Sequence, residues 1–256
     1  MLVNVDAKAV EWVCALYWSQ DKVGIEEYLN GVDIHETNQT RFKLPSRLVA
    51  KTLLFRIIYG GTGYSMSTDP SIVPAHSEEW WNEIISRFYE KYSGLYAWHQ
   101  RLYNSVVLSN GRLDLPTGRS YTFSPSLRRG AGSGSAREVT YPRTKILNYP
   151  VQGLAADLMA IARVSLYKRL KAMNFNGILW VNTVHDSIVL DIKLDIWNEV
   201  CYTIRDIIEE VFRDIPKNFE RLFSLEFNLP VRAEISYGEN WKDMEIMNAD
   251  RISSTA

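Results

Sequence analysis

Cysteine is nearly missing from this 256-residue sequence, with only Cys14 and Cys201 present. Two thiols so far apart form neither a disulfide framework nor a zinc motif. They fit a reducing interior, so a cytoplasmic location is expected, in the host cytoplasm for a viral source. No stretch approaches the roughly eighteen consecutive apolar residues of a spanning helix, so no membrane partner is expected. Met1 to Lys8 shows no basic region followed by a long apolar core, and therefore no secretory signal. Internal repeats are absent. So is a large net charge: the formal balance is −1, whereas nucleic-acid-binding domains are often strongly basic.

What is present is the balance of a globular protein, 46% apolar and 23% charged residues. The length suits one large domain or two modest ones. Charge is unevenly spread. Eight Lys or Arg face only Asp114 and Glu138 between Arg101 and Lys145, while eight acids face four basic residues between Asp195 and Glu226. A basic middle can track phosphates; it can equally be a solvated loop.

Leu2 to Val5 reads as a strand ending at Asp6, and helices are predicted over Ala9–Tyr17 and Lys22–Leu29, the latter closed by Asn30-Gly31. Pro45 suits the first position of a helix running to about Tyr59, because its missing N–H costs nothing there. Ser77 is a predicted N-cap for a helix to about Tyr92, and Gly94 should interrupt before a second run to Val107. Residues 108 to 142, rich in Gly, Ser, Pro and Arg, read as two short strands and a mobile loop around Arg128 to Ser135. Pro150 should open a helix over Val151 to about Met173. Two β-branched strands then flank His185-Asp186, an amphipathic helix covers Asp195–Phe212, and a last strand covers Arg232–Tyr237. The mixture predicts an α+β fold.

Three features carry chemistry. Asp186 would sit at a hairpin tip, where a rigid scaffold holds an exposed carboxylate suited to a metal, although such a residue can also be a plain turn residue. Asp6 is a second carboxylate at a strand end, or a helix cap. Arg47, Lys51, Phe55 and Tyr59 recur every four residues, forming a stripe along one helix side. Two cations followed by two aromatics fit a triphosphate and a base; the alternative is an amphipathic helix with Phe55 and Tyr59 in the core.

Taken in order and spacing, these elements resemble the family A DNA polymerases. Val5-Asp6-Ala7-Lys8-Ala9-Val10-Glu11 is similar to motif A of that family, and Asp33-Ile34-His35 to its Asp-(Ile/Val)-His element. Arg47, Lys51, Phe55, Tyr59 and Gly60 match motif B position for position. Asn148 to Gly153, continuing to Asp157, matches the segment before motif C, and Val184-His185-Asp186 matches motif C. Gly238-Glu239-Asn240-Trp241 resembles the closing Gly-Glu-x-Trp.

The resemblance implies a right-hand palm, an antiparallel sheet backed by helices, with helical fingers. The expected parts are palm at 1–36 and 145–256, fingers at 37–107 and a basic connecting segment at 108–144. It implies template-directed DNA synthesis from dNTPs on primer-template DNA, by two-metal phosphoryl transfer. Asp6, the Ala7 carbonyl and Asp186 would hold two Mg²⁺ ions, with Mn²⁺ able to substitute. Arg47, Lys51 and His35 would meet the phosphates, Lys51 doubling as proton donor to pyrophosphate. Phe55 would pack on the incoming nucleotide, Glu11 would block a 2′-hydroxyl, and Tyr59 would abut the pair at the insertion site. Asn148, Gln152 and His185 would touch the DNA near the primer end.

The sequence departs from the pattern at Ser187, where motif C usually has Glu, and at Lys8, Ala9 and Val13 in motif A. His-Asp-Ser is frequent in single-subunit RNA polymerases, which makes RNA synthesis a rival; a non-catalytic DNA-binding replication subunit is another. In the family a thumb, and often an exonuclease, precedes motif A. With Asp6 so near the start, the expectation is a chain without them: a split viral polymerase whose second polypeptide supplies the thumb, the exonuclease or both.

Overall fold

The structure, a computed structural model, describes residues 1–129, 137–174 and 176–248. In chain order its elements are β1 (Leu2–Ala7), α1 (Val10–Ser19), α2 (Lys22–Leu29), α3 (Ile34–Phe42), α4 (Arg47–Ile58), α5 (Gly63–Ser67), α6 (Glu78–Lys91) and α7 (Ser93–Leu108). Two hairpins follow, β2 (Arg112–Asp114) with β3 (Ser120–Thr122) and β4 (Ser126–Arg129) with β5 (Arg137–Thr140). The rest is α8 (Arg143–Ala172), β6 (Ile178–Val184), β7 (Ser187–Ile192), α9 (Leu194–Arg213), α10 (Ile215–Phe223), β8 (Ala233–Gly238) and β9 (Glu245–Ile246). The fold is α+β, as expected. Among the described residues no helix is long and apolar enough to cross a membrane.

The chain divides into two compact units. One comprises Met1–Val13 and Leu154–Ala256. Its centre is a five-stranded sheet in the order β6-β7-β1-β8-β9, with every neighbouring pair antiparallel. β1 alternates as a strand with one covered face must: Val3, Val5 and Ala7 are buried, while Leu2, Asn4 and Asp6 are half-buried. In β7, Ile188, Val189 and Leu190 are all buried, so both faces of that central strand are covered. α9 turns Val200, Ile204, Ile208 and Val211 inward at helical spacing, and its Trp197 ring lies 5.3 Å from that of Tyr237 on β8.

The other unit, Cys14–Gly153, is mainly helical. Phe42, Leu53, Leu54, Trp81, Phe88 and Tyr92 are almost wholly buried in it. Asp21 ties α2 to α7 from a buried position. Its Oδ1 accepts the Gly24 N–H at 2.9 Å and its Oδ2 the Leu95 N–H at 3.1 Å.

Several boundaries differ from the sequence reading. α4 starts at Arg47, after an N-cap at Ser46 whose hydroxyl accepts the Val49 N–H, so Pro45 lies outside the helix. A hydroxyl satisfies an orphan helix amide, which proline has no means to do. Gly94 does not interrupt; the break falls at Tyr92, and Gly94 lies inside α7. A Cβ at 94 would stand 2.7 Å from Asp21 Cα, so close approach rather than a turn requires glycine there. Pro150 does not open α8 but sits in its interior, seven residues after Arg143. Around it, the Tyr121 hydroxyl donates to Tyr149 O at 3.1 Å and Trp18 Nε1 donates to Pro150 O at 3.0 Å. Four short strands replace the two expected between 108 and 142, and the loop expected at 130–136 lies outside the described residues.

Candidate active site

The first group of predicted residues belongs to the sheet-bearing unit. Antiparallel pairing sets Asp6 of β1 opposite Ser187 of β7, and the Ala7 N–H donates to the Asp186 carbonyl at 3.0 Å. Asp6 and Asp186, far apart in sequence, thus become near-diagonal neighbours across one strand pair, with Cα atoms roughly 5–8 Å apart. Both are half-buried. The tight turn is made by His185 in the left-handed region (φ +51°), and the Ser187 hydroxyl donates to Val184 O at 2.9 Å. On the other side of β1, Asp6 faces Glu234 of β8, and Lys8 Nζ lies 3.4 Å from the Glu234 carboxylate. Glu11 is in the first turn of α1.

This donor set fits magnesium in kind. Among the described residues no group of three or more His, Cys, Asp or Glu side chains is placed to hold a metal. Two carboxylates and a main-chain carbonyl, with water and phosphate oxygens completing the shell, is the hard and sparse set that Mg²⁺ takes.

The second group belongs to the helical unit. α4 buries Val49, Ala50, Leu53, Leu54, Ile57 and Ile58 and leaves Arg47 and Lys51 exposed and Phe55 and Tyr59 half-buried. The stripe therefore lies off the core face, against the purely structural alternative. Lys51 Nζ is 5.9 Å from the Phe55 ring centroid, and the His35 ring is 6.5 Å from it. Arg47 donates through Nε and Nη2 to Asp33 Oδ2, at 3.0 and 2.7 Å. Burial above all, then the Arg47 charge, holds the His35 imidazole below its usual pKa, against the opposing pull of Asp33. His35 Nδ1 is buried without a hydrogen-bond partner among the described residues. Burial would raise the Asp33 pKa, but hydrogen bonds from Arg47, Glu36 and His35 keep it below the usual range.

The third group shares this unit. Asn148 and Gln152 stand one turn apart on α8, and Gln152 Nε2 donates to the hydroxyl of Tyr59, the C-cap of α4. Gly60 follows with φ +73°, and a Cβ there would come 2.8 Å from Leu147 Cδ1. A left-handed cap against a buried helix explains why Tyr59 is followed by glycine.

Asp33 is the participant to which the sequence reading gave no role. Its signal was present: Asp33-Ile34-His35-Glu36 has capping-box spacing, and Asp33 Oδ1 accepts the His35 and Glu36 N–H groups at 2.9 and 3.1 Å. Trp18 and Tyr121, which bond the α8 backbone beside Asn148, gave no comparable signal.

The sheet-bearing unit holds two neighbouring aspartates and the helical unit a cationic, aromatic helix; comparison with known proteins identifies the class. The model of DNA polymerase family A matches residues 1–243. The chain belongs to that family. It is 27% identical over 253 residues to the thermostable DNA polymerase I of Thermus aquaticus, covering 94% of this chain and 27% of that protein. It is 23% identical over 257 residues to DNA polymerase I of Lactococcus lactis, covering 94% and 26%. The chain thus spans about a quarter of the length of the curated relatives it matches. Among solved structures, the POL domain of Pol1 from M. smegmatis, in complex with DNA primer-template and dNTP, superposes with a TM-score of 0.66 at 17% identity, covering 94% of this chain and 40% of that one. That likeness establishes the fold of a polymerase domain.

Proposed function

We propose that this chain carries out template-directed DNA synthesis, extending a primer 3′-hydroxyl with dNTPs. The observation that supports this most is the adjacency of Asp6 and Asp186 across the β1–β7 pair, in a member of family A. In this reading residues 1–36 and 145–256 are palm, 37–107 are fingers and 108–144 are a basic connecting segment.

The primer 3′-oxygen bonds to the α-phosphorus as the bond from that phosphorus to the β-phosphate oxygen breaks; the hydroxyl proton passes to solvent water and pyrophosphate leaves. Two Mg²⁺ ions, held by Asp6, Asp186 and the Ala7 carbonyl, would supply charge stabilisation at the attacking and leaving oxygens. Arg47 and Lys51 bind the β- and γ-phosphates, and Lys51 protonates the leaving pyrophosphate. His35, its pKa lowered by burial and by the Arg47 charge, offers a hydrogen bond to the leaving phosphate. Phe55 stacks on the incoming nucleotide. Glu11 excludes a 2′-hydroxyl. Tyr59, Asn148, Gln152 and His185 hold the nascent pair and primer end.

RNA synthesis is the second reading, favoured by Ser187 in the position after Asp186, where the family usually has Glu. Primer extension on a primed template with Mg²⁺, supplying dNTPs and rNTPs separately, decides between them. Incorporation of dNTPs, with Glu11→Ala admitting rNTPs, is expected. Preferential use of rNTPs by the unaltered chain supports the rival, and DNA binding with no incorporation of either rejects both.

A further inference from the structure

Asp33 uses one carboxylate for two tasks. Oδ1 closes the N-terminus of α3 through the His35 and Glu36 amides, and Oδ2 holds Nε and Nη2 of Arg47 at the start of α4. It thereby links the leading ends of two successive helices, α3 carrying the proposed phosphate contact His35 and α4 the proposed contacts Arg47 and Lys51.

Stability does not account for the link. The Arg47 and Asp33 side chains are 57% and 39% exposed, and exposed ion pairs contribute only ~0–1 kcal/mol. Nor does α4 need it for capping, since Ser46 already provides that. The geometry suggests another use. Both bonds lie on the Nε edge of the guanidinium, while Nη1 bonds to nothing among the described residues. A planar fork fixed along one edge is held in orientation, and its other edge remains available to a second anion.

We propose that Asp33 is a positioning residue for the triphosphate: it braces Arg47 from behind so that the free guanidinium edge is aimed before nucleotide arrives. This rests on the reading of Arg47 as a phosphate contact. Asp33 does not touch the substrate. Its negative charge opposes phosphate weakly across exposed solvent, and its benefit is the side-chain freedom that Arg47 no longer loses on binding. Loss of the brace should weaken nucleotide binding about three- to tenfold, the usual scale for ordering one long side chain.

Asp33→Asn isolates the brace, because asparagine remains a good N-cap for α3 but loses the charged partner of Arg47. Steady-state primer extension and equilibrium binding of Mg²⁺-dATP should be measured on the full chain for wild type, Asp33→Asn, Arg47→Ala and the double variant. The expected result is an Asp33→Asn KM and Kd raised about three- to tenfold, kcat within about twofold, an unchanged melting temperature, and no further effect in the Arg47→Ala background. An unchanged or lowered KM and Kd overturns the proposal, since the carboxylate would then be neutral or a competitor. An equal loss in the Arg47→Ala background also overturns it, because Asp33 would act by another route. If the wild-type chain neither binds nor incorporates dNTPs, the polymerase reading fails and this proposal falls with it. Wild-type activity with an indifferent Asp33→Asn removes this proposal alone.

Discussion

Gln152 on α8 donates a hydrogen bond from its Nε2 to the hydroxyl of Tyr59 at the end of α4, 93 positions earlier in the chain. Each had been assigned a contact at the nascent pair, and the structure couples them. Tyr59→Phe and Gln152→Ala should each slow extension, and together they should cost clearly less than the sum. A coupling of about 0.5–3 kcal/mol is typical of residues sharing one bond. Single-turnover rates for the two single variants and the double complete the cycle; strict additivity would show that the bond plays no part in turnover.

Asp6→Ala and Asp186→Ala remove one carboxylate from β1 and one from the β6–β7 turn without touching the strand hydrogen bonds. Each should reduce extension by on the order of 10³-fold or more, equivalent to several kcal/mol of lost charge stabilisation. Duplex binding and the melting temperature should barely change. Retention of near-normal extension by either variant would remove the catalytic assignment.

Gly60 combines a φ of +73° with a neighbour at 2.8 Å from its notional Cβ. Gly60→Ala therefore incurs both left-handed strain and a push on buried Leu147, about 1–3 kcal/mol together. Thermal unfolding should show a drop of about 2–8 °C. An unchanged melting temperature would mean that α4 ends in another conformation.

His99 gives the protein an acid-sensitive limb. Its imidazole is buried beside the Tyr89 hydroxyl at 3.1 Å, and burial first, then the Arg143 charge, lowers its pKa to about 3. Below about pH 6.5 the unfolded chain takes a proton that the folded chain refuses. Stability is thus complete above that pH and declines as pH falls toward 3. His35, shifted the same way, adds to the decline. Urea midpoints between pH 7 and 4 should fall less steeply for His99→Gln than for the unaltered chain; parallel profiles would contradict the assignment.

Strong period and good caps made much of this legible in sequence. α2 ends where Asn30-Gly31 said it would, α6 begins after Ser77, and the strands around His185-Asp186 pair as a hairpin. What was hidden depends on distant partners. α3 passed unnoticed because Ile34–Phe42 is largely polar, and its helix relies on the Asp33 cap and on burial of Ile34, Asn38 and Phe42. Proline reads in the sequence as a helix start at two places, and neither is one. At Pro45 a neighbouring serine was the better cap, and at Pro150 tertiary bonds to the adjoining carbonyls accompany a proline within a helix. α10 was overlooked too; its placement rests on Ile215 and Phe219, buried near Phe227. The family's motifs could be read without the fold, but the ion pair between Asp33 and Arg47 could not, since its partners lie 14 residues apart, at the starts of separate helices.

β6 forms one margin of the five-stranded sheet, and from Ile178 to Val184 it carries neither charge nor proline. Leu179 and Val181 on it are more than half exposed. Among the described residues no further strand pairs with this margin; such margins recruit strands, and the register shift between Trp180 and Asn182 is the main local feature that discourages it. Handling the protein at high concentration will therefore favour edge-to-edge self-association, and a lysine at Val181 is the simplest way to keep purified material in solution.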